Sequence, residues 1–421
     1  MADIHPFNGI RYDSTRVCGN DVAAPPYDII SEQHKESLYE MSPYNIVRVD
    51  FGKELAGDNE KNNRYTRAAN ELQQWLSKGI LIKDNEPSIY ACRISYRIDG
   101  ADKNLTGIFC LVKITELGSG VYPHEATHSK PKEDRLNLMR FCRGNISPVY
   151  SLYNSPGKIT SEIVNNMDTE PVFSAKDHDD ALHSLYKISD PAVISKIQAE
   201  LSEKPLFIAD GHHRYEVALE YKKEMDRKHG ASSGSSESNP WDYVLMFLAN
   251  MSDEGITVLP THRLIKGLSD KQAVLETISE HFAYESIPSS TTGKEMTLLL
   301  KESGKNSFGL CLNSSNDLFI LKYKGAELQD IHEALRNLDV VVLHEQLLKR
   351  DLDITEISYE MDPGKVIDMV KNSGFDAALI LNPTDVSDVE RIALSGLRMP
   401  PKSTYFYPKL MTGMVINKFD S

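Results

Sequence analysis

The stretch LFIADGHHRYEVALEYKKEM, Leu206 to Met225, constrains the fold of this chain more than any other. Its opening LFIA reads as a short buried strand, and Val217, Ala218 and Tyr221 then fall on one face of a strong helix. Asp210 and Gly211 separate the two patterns, so the chain must turn sharply there, and Gly211 supplies the backbone freedom to do so. The neighbouring runs YVLMFLANM and ITVLPTHRLI read as two further strands, which together with the helix imply α/β organisation.

The same turn carries chemistry. A helix that begins near His212 leaves its first backbone N–H groups without partners in the chain and points its positive dipole end at the turn. With His212, His213 and Arg214 added, the turn becomes an anion site suited to nucleotide phosphates. The alternative is Asp210 as a plain N-cap beside locally packed histidines. Four polar residues in a row after a buried strand favour a site gathered at the strand's end.

Val121 to Arg135, VYPHEATHSKPKEDR, contains His124-Glu125-Ala126-Thr127-His128, the letters of the H-E-x-x-H zinc signature. That signature works only on a helix, where imidazoles four residues apart share a face. Gly118, Ser119, Gly120 and Pro123 upstream, with Ser129 and Pro131 downstream, leave room for a helix of about two turns, and Pro131 disfavours helical dihedrals at Lys130. A zinc metallohydrolase is therefore the third choice, and Glu125 is expected on an irregular loop, where it acts as a general base if partial burial raises its pKa. Lys130, Lys132 and Arg135 are either phosphoryl-stabilising cations or solvated loop charge. Further clusters stand in LPTHR (Thr261, His262, Arg263) and in PPKSTYFYPKL (Lys402, Ser403, Thr404, Lys409). Lys402-Ser403-Thr404 has the make-up of a carboxylate or phosphate clamp, or of a plain turn.

A chain of 421 residues holds two or three domains of ordinary size. No apolar run reaches bilayer-spanning length, and MADIHPFNGIRYD lacks the apolar core of a signal peptide. Cys18, Cys92, Cys110, Cys142 and Cys311 are scattered without a C-x-x-C pair, which fits reduced thiols and a cytoplasmic location. The formal charge of −14 argues against nucleic acid as a partner but leaves room for a local anion site.

Three parts are expected. The first, 1–118, is an α/β unit with a helix through Tyr65, Ala68, Ala69, Leu72 and Trp75, then a hairpin of IYACRISYRIDG and LTGIFCLVKI joined at DGADKN. The core, 119–265, holds the polar motifs and an exposed loop at KHGASSGSSESNP. The last, 266–421, is an α+β domain that hands its final segment back to the core. DHDDALHSLYK reads as an acidic N-cap opening a helix rather than as a metal site, and His344-Glu345 as an exposed helical pair.

P-H-E, then strand-D-G-H-H-R-helix, then a C-terminal P-K-S-T segment resemble, in that order, the free L-serine kinases built on the ParB/sulfiredoxin-like fold. HPFNGIRY, APPYDII, YNIVRV, PHEAT, DRL, IADGHHRY, LPTHR and MPPKSTYFYPKL together resemble a bacterial and archaeal family grouped as domain of unknown function 1015. The resemblance implies an α/β (α+β) fold whose nucleotide-binding core carries an N-terminal extension and a smaller C-terminal α+β domain. It implies Glu125 as catalytic base and Asp210 as a second catalytic residue, meeting Mg²⁺ through the phosphates. Gly211, His212, His213 and Arg214 would bind the nucleotide phosphates, with Arg263 of the LPTHR cluster placed beside them. His124, Lys402, Ser403 and Thr404 would bind the amino acid. The implied activity is phosphoryl transfer between ATP or ADP and the hydroxyl of free L-serine, or of a similar small amino acid, in either direction. No membrane or nucleic-acid partner is implied. A ParB-like nucleotide sensor without kinase activity is the second choice.

Overall fold

The structure is a computed structural model that describes residues 2–125, 130–168, 170–229, 238–268, 271–313, 317–325, 328–354 and 356–419, with the side chains of Lys130, Pro131 and Lys271 left out. Its contacts divide into two compact units. Unit 1 comprises residues 1–123, 127–257 and 408–421, and unit 2 comprises residues 124–126 and 258–407.

The main sheet of unit 1 is built from Ile4–His5 (β1), Ile89–Ile98 (β2), Ala101–Lys113 (β3), Val121–Tyr122 (β4), Val149–Tyr153 (β5), Phe173–Lys176 (β6), Leu182–Ile188 (β7), Leu206–Asp210 (β8) and Tyr243–Asn250 (β9). They form one sheet in the order β4-β8-β5-β9-β3-β2-β7-β6, with β1 added on β3. β8 runs parallel to β4, and β9 parallel to β5, while the other neighbours are antiparallel. The expected hairpin is β2–β3. Its turn is tighter than DGADKN suggested, because Asp99 and Gly100 both take positive φ (51° and 80°), the conformation of a two-residue turn that matches strand twist.

The longer helices that position the site in unit 1 include Arg64–Ser77 (α1), Lys130–Cys142 (α2), Lys158–Asn165 (α3), Pro191–Leu201 (α4) and His212–His229 (α5). Trp75 of α1 is buried, as its spacing implied. Ile159 and Ile163 of α3, Val193, Ile194, Ile197 and Leu201 of α4, and Tyr215, Val217, Ala218 and Tyr221 of α5 pack with Ile108, Val149, Ile208 and Met246 of the sheet into one core.

Two local expectations are corrected here. Leu182–Ile188 is a strand, not a helix, since β7 is paired on both edges, with β2 and with β6. The acidic run before it is a turn in which Asp177 accepts from Asp179 N and Ala181 N and Asp180 takes φ 63°. Residues from 130 onward form helix α2 rather than loop, because Pro131 stands in its first turn, where a missing N–H costs nothing. Contacts also cross the boundary drawn at residue 118, since β2 and β3 share a sheet with β8 and β9. The loop at 228–240, the turn SSND and residues 126–128 of the H-E-x-x-H stretch lie largely outside the described residues.

Unit 2 has an antiparallel sheet of six strands: His262–Ile265 (β10), Phe282–Ile287 (β11), Ser307–Leu312 (β12), Asp317–Tyr323 (β13), Ile357–Glu360 (β14) and Ala377–Leu381 (β15), in the order β11-β13-β12-β15-β10-β14. Gly293–Ser303 (α6) and Pro363–Asn372 (α7) lay Met296, Leu300, Val366, Ile367 and Val370 on Leu264, Cys311, Leu318 and Ile380 of that sheet. A π-helical segment, Val342–Asp351, carries His344.

Candidate active-site residues

In unit 1 the Asp-Gly-His-His-Arg turn forms as the sequence implied. β8 ends at Asp210, and its register against β5 shifts between Ile208 and Asp210, an irregularity of the kind that re-aims a side chain. Gly211 takes φ +88°, and a Cβ there would stand 2.9 Å from Arg214 Nε, so glycine is required by conformation and by space. Tyr215 N donates to Gly211 O at 3.0 Å and starts α5, with His212 buried and His213 half-buried at its first positions.

The Asp210 carboxylate stands between two cations. Lys409 Nζ donates to Oδ1 at 2.8 Å, and Arg214 Nη2 donates to Oδ2. Arg214 also donates through Nη1 to Pro148 O, and its side chain is only 10% exposed. Burial opposes the guanidinium charge, but Asp210 first, then Asp28, Tyr27 and Asp50, outweigh it and hold the pKa above normal. Arg214 thus braces the turn from within, where the sequence suggested an open phosphate ligand. Lys132, which lies on α2, pairs with Glu216 and stays partly solvated, whereas Arg135 is buried against Asp50 at 3.0 Å and Asp134 at 2.6 Å and is not solvated loop charge.

In unit 2 the P-H-E and P-K-S-T motifs come together. Glu125 forms a parallel bridge with Met399, and Met399 N donates to His124 O at 2.7 Å. Glu125 Oε1 then accepts from Ser403 N at 3.0 Å, Thr404 N at 3.0 Å and Thr404 Oγ1 at 3.2 Å. His124 is fully buried, and its Nε2 lies 2.8 Å from Thr404 Oγ1. Because the single hydroxyl proton of Thr404 goes to Glu125, His124 donates from Nε2. Ser403 Oγ donates to Pro400 O at 2.6 Å, and Thr384 Oγ1 donates to Ser403 O at 2.8 Å.

Lys402 takes φ 58°, and its carbonyl accepts from Arg263 Nη2 at 3.0 Å. Arg263 is fully buried and also donates to Thr261 O and, at 3.2 and 3.1 Å, to His344 Nε2. Burial lowers its pKa to about 10, against the opposing pull of Tyr359 and Glu125. Arg263 therefore spends its hydrogen bonds inside unit 2, beneath the Lys402 backbone. His344 is corrected from an exposed residue to a half-buried acceptor, and burial followed by the Arg263 charge pushes its pKa down to about 3.

His128 lies outside the described residues, and among the described residues no group of three or more His, Cys, Asp or Glu is placed to hold a metal. No helix among them is long and apolar enough to cross a membrane. Sequence reasoning noted Lys409 only as part of a basic cluster and missed Asp50 and Thr384. Asp50 had a signal in the apolar run NIVRV that it closes, but Thr384 had none.

Residues 4–341 match the profile of the family described as "Protein of unknown function (DUF1015)", and the chain belongs to that family. No curated protein matches it. Among solved structures, a conserved hypothetical protein from Pyrococcus furiosus is similar at 15% identity and a TM-score of 0.36, covering 74% of this chain and 94% of that one. A free serine kinase mutant in complex with ADP gives 14% identity, a TM-score of 0.36 and coverage of 71% and 87%. SbnI with a C-terminal truncation, from Staphylococcus aureus, gives 11% identity, a TM-score of 0.36 and coverage of 72% and 85%. At these TM-scores the likenesses carry no argument about what this chain does.

Proposed function

We propose that this protein is a phosphotransferase that moves a phosphoryl group between ATP or ADP and the hydroxyl of free L-serine or a similar small amino acid, in either direction. The observation that carries it is the meeting of two of the three kinase-like motifs, with Glu125 Oε1 gathering the backbone N–H groups of Ser403 and Thr404 across 278 residues of sequence. The third motif stands at a strand end that opens a long helix, the setting that binds phosphate through backbone N–H groups.

In the forward direction the serine oxygen forms a bond to the transferred phosphorus while the bond from that phosphorus to the nucleotide oxygen breaks. The serine proton passes to the Glu125 carboxylate. In a loose transition state the proton leaves late, so the accepting carboxylate need not be a strong base. Lys402, Ser403 and Thr404 hold the amino acid, and the buried His124 fixes the Thr404 hydroxyl from behind. The N-terminus of α5, with Gly211, His212 and His213, holds the nucleotide phosphates, and Arg214 keeps Asp210 in place. Arg263 fixes the Lys402 backbone. Mg²⁺ bound with the nucleotide would be held mainly by phosphate oxygens, because both Asp210 oxygens already accept from Lys409 and Arg214, and it would neutralise phosphate charge beside Asp210.

The test is to incubate the protein with Mg²⁺, L-serine and ATP, ADP, CTP or pyrophosphate in turn, following phosphoserine by ³¹P NMR. Phosphoserine formed from a nucleotide, and lost in Glu125→Gln, is the expected result. No phosphoserine from any donor, and none consumed in the reverse direction, would overturn it.

A further inference from the structure

Three family motifs, APPYDII, YNIVRV and DRL, have no task in the reaction above, yet they converge in unit 1. Asp50, which directly follows YNIVRV, has a side chain only 4% exposed, and its Oδ1 accepts from Arg135 Nη1 at 3.0 Å. Arg135 Nη2 donates to Asp50 O at 2.7 Å, and the guanidinium lies 4.0 Å from the ring centroid of Tyr27. Asp50 Oδ2, although buried, has no hydrogen-bond partner among the described residues. Asp50, Arg135, Asn145, Ser147 and Arg214 line a common cavity of about 30 Å³.

The lining decides what this cavity can hold. A cation is opposed by two guanidinium groups, and an anion by the Asp50 carboxylate. An apolar guest would leave Asp50 Oδ2 unsatisfied, a state that buried polar groups rarely tolerate. A water needs only about 10 to 15 Å³ and two or more polar partners, and both conditions are met. We propose that this cavity holds ordered water that bridges Asp50 Oδ2 to Arg214, making Asp50 a positioning residue behind the Asp-Gly-His-His-Arg turn. The chain of support then runs from Tyr27 through Arg135, Asp50 and water to Arg214, and from Arg214 to Asp210. The effect on nucleotide rests on the phosphotransferase reading, whereas the water itself does not.

The experiment pairs a high-resolution crystal structure of the full chain with calorimetry of AMP binding to the parent and to Asp50→Asn. Expected are density for water within hydrogen-bond reach of both Asp50 Oδ2 and Arg214, and a loss of AMP affinity of about tenfold in Asp50→Asn. The KM for nucleotide should rise in that variant with the KM for serine unchanged, a split that general loss of structure does not produce. A dry cavity, a water that does not reach Arg214, or unchanged AMP affinity in folded Asp50→Asn would each overturn the proposal. If the parent binds none of AMP, ADP and ATP, the phosphotransferase reading fails and the density alone decides: bridging water sustains the inference, and its absence ends it. The density decides likewise if Asp50→Asn does not fold.

Discussion

Asp210 in unit 1 and Glu125 in unit 2 are both carboxylates in signature motifs, yet they are held by opposite means. Asp210 is gripped by charge, with Lys409 on one oxygen and Arg214 on the other. Glu125 is gripped by dipoles, with two backbone N–H groups and a hydroxyl on a single oxygen. A charge-held carboxylate neutralises buried cations, so removing it strands them. A dipole-held carboxylate can lose its charge and keep its geometry, which suits a group that must accept a proton and return it.

Asp210→Ala should break the comparison most visibly. Two mostly buried cations lose their shared partner, and we expect a loss of about 3 kcal/mol in urea unfolding. A loss under about 1 kcal/mol would mean that the cations are satisfied without Asp210. Glu125→Gln should behave in the opposite way. The amide oxygen can still accept from Ser403 N and Thr404 N, so the melting temperature should hold while phosphoserine turnover falls by about two orders of magnitude, near 2.7 kcal/mol. Equal stability losses in the two variants would erase the distinction.

Thr404→Val sharpens the unit 2 half. It removes the hydroxyl shared by Glu125 and His124 and leaves a fully buried imidazole nitrogen without that contact, at a cost of about 1 to 3 kcal/mol by chemical denaturation. A neutral effect would show that the hydroxyl does not bind the two motifs together.

The last expected effect is absent at neutral pH and appears only on acidification. Burial depresses His262 to about 4 and His344 to about 3, so the folded state keeps both neutral. Below the unfolded value near 6.5 the unfolded chain takes up protons that the folded chain refuses, so stability is full above that pH and falls as pH drops toward 4. Each histidine contributes a slope of about 1.4 kcal/mol per pH unit. Unfolding midpoints of parent and His344→Gln, measured from pH 7.5 to 5, should diverge on acidification, with the variant flatter. Parallel curves would show that His344 titrates alike in the folded and unfolded states.

Much of the candidate site was legible because it is local. Strand, Asp-Gly and helix are adjacent in sequence, and the demand for φ > 0 at Gly211 is written in the residue itself. Pairing across long separations was not legible. Nothing near Glu125 announces Thr404, and nothing near Asp210 announces Lys409. DHDDALHSLYK went astray for the same reason, since its strand exists through partners at β2 and β6 rather than through local preference.

The sequence by itself determined the short-range grammar: the β2–β3 hairpin at Asp-Gly, the amphipathic α1, the apolar β9 and the sharp turn into α5. Each depends on dihedral preference or hydrophobic period within a few residues. The tertiary structure decided which polar groups are spent and which are poised. Arg214, Arg263 and Arg135 look alike in the sequence as cations ready for phosphate, and folding buries all three against carboxylates and carbonyls. Burial is a property of the whole packed chain, because a charge withdrawn from water must find its partners wherever the fold brings them.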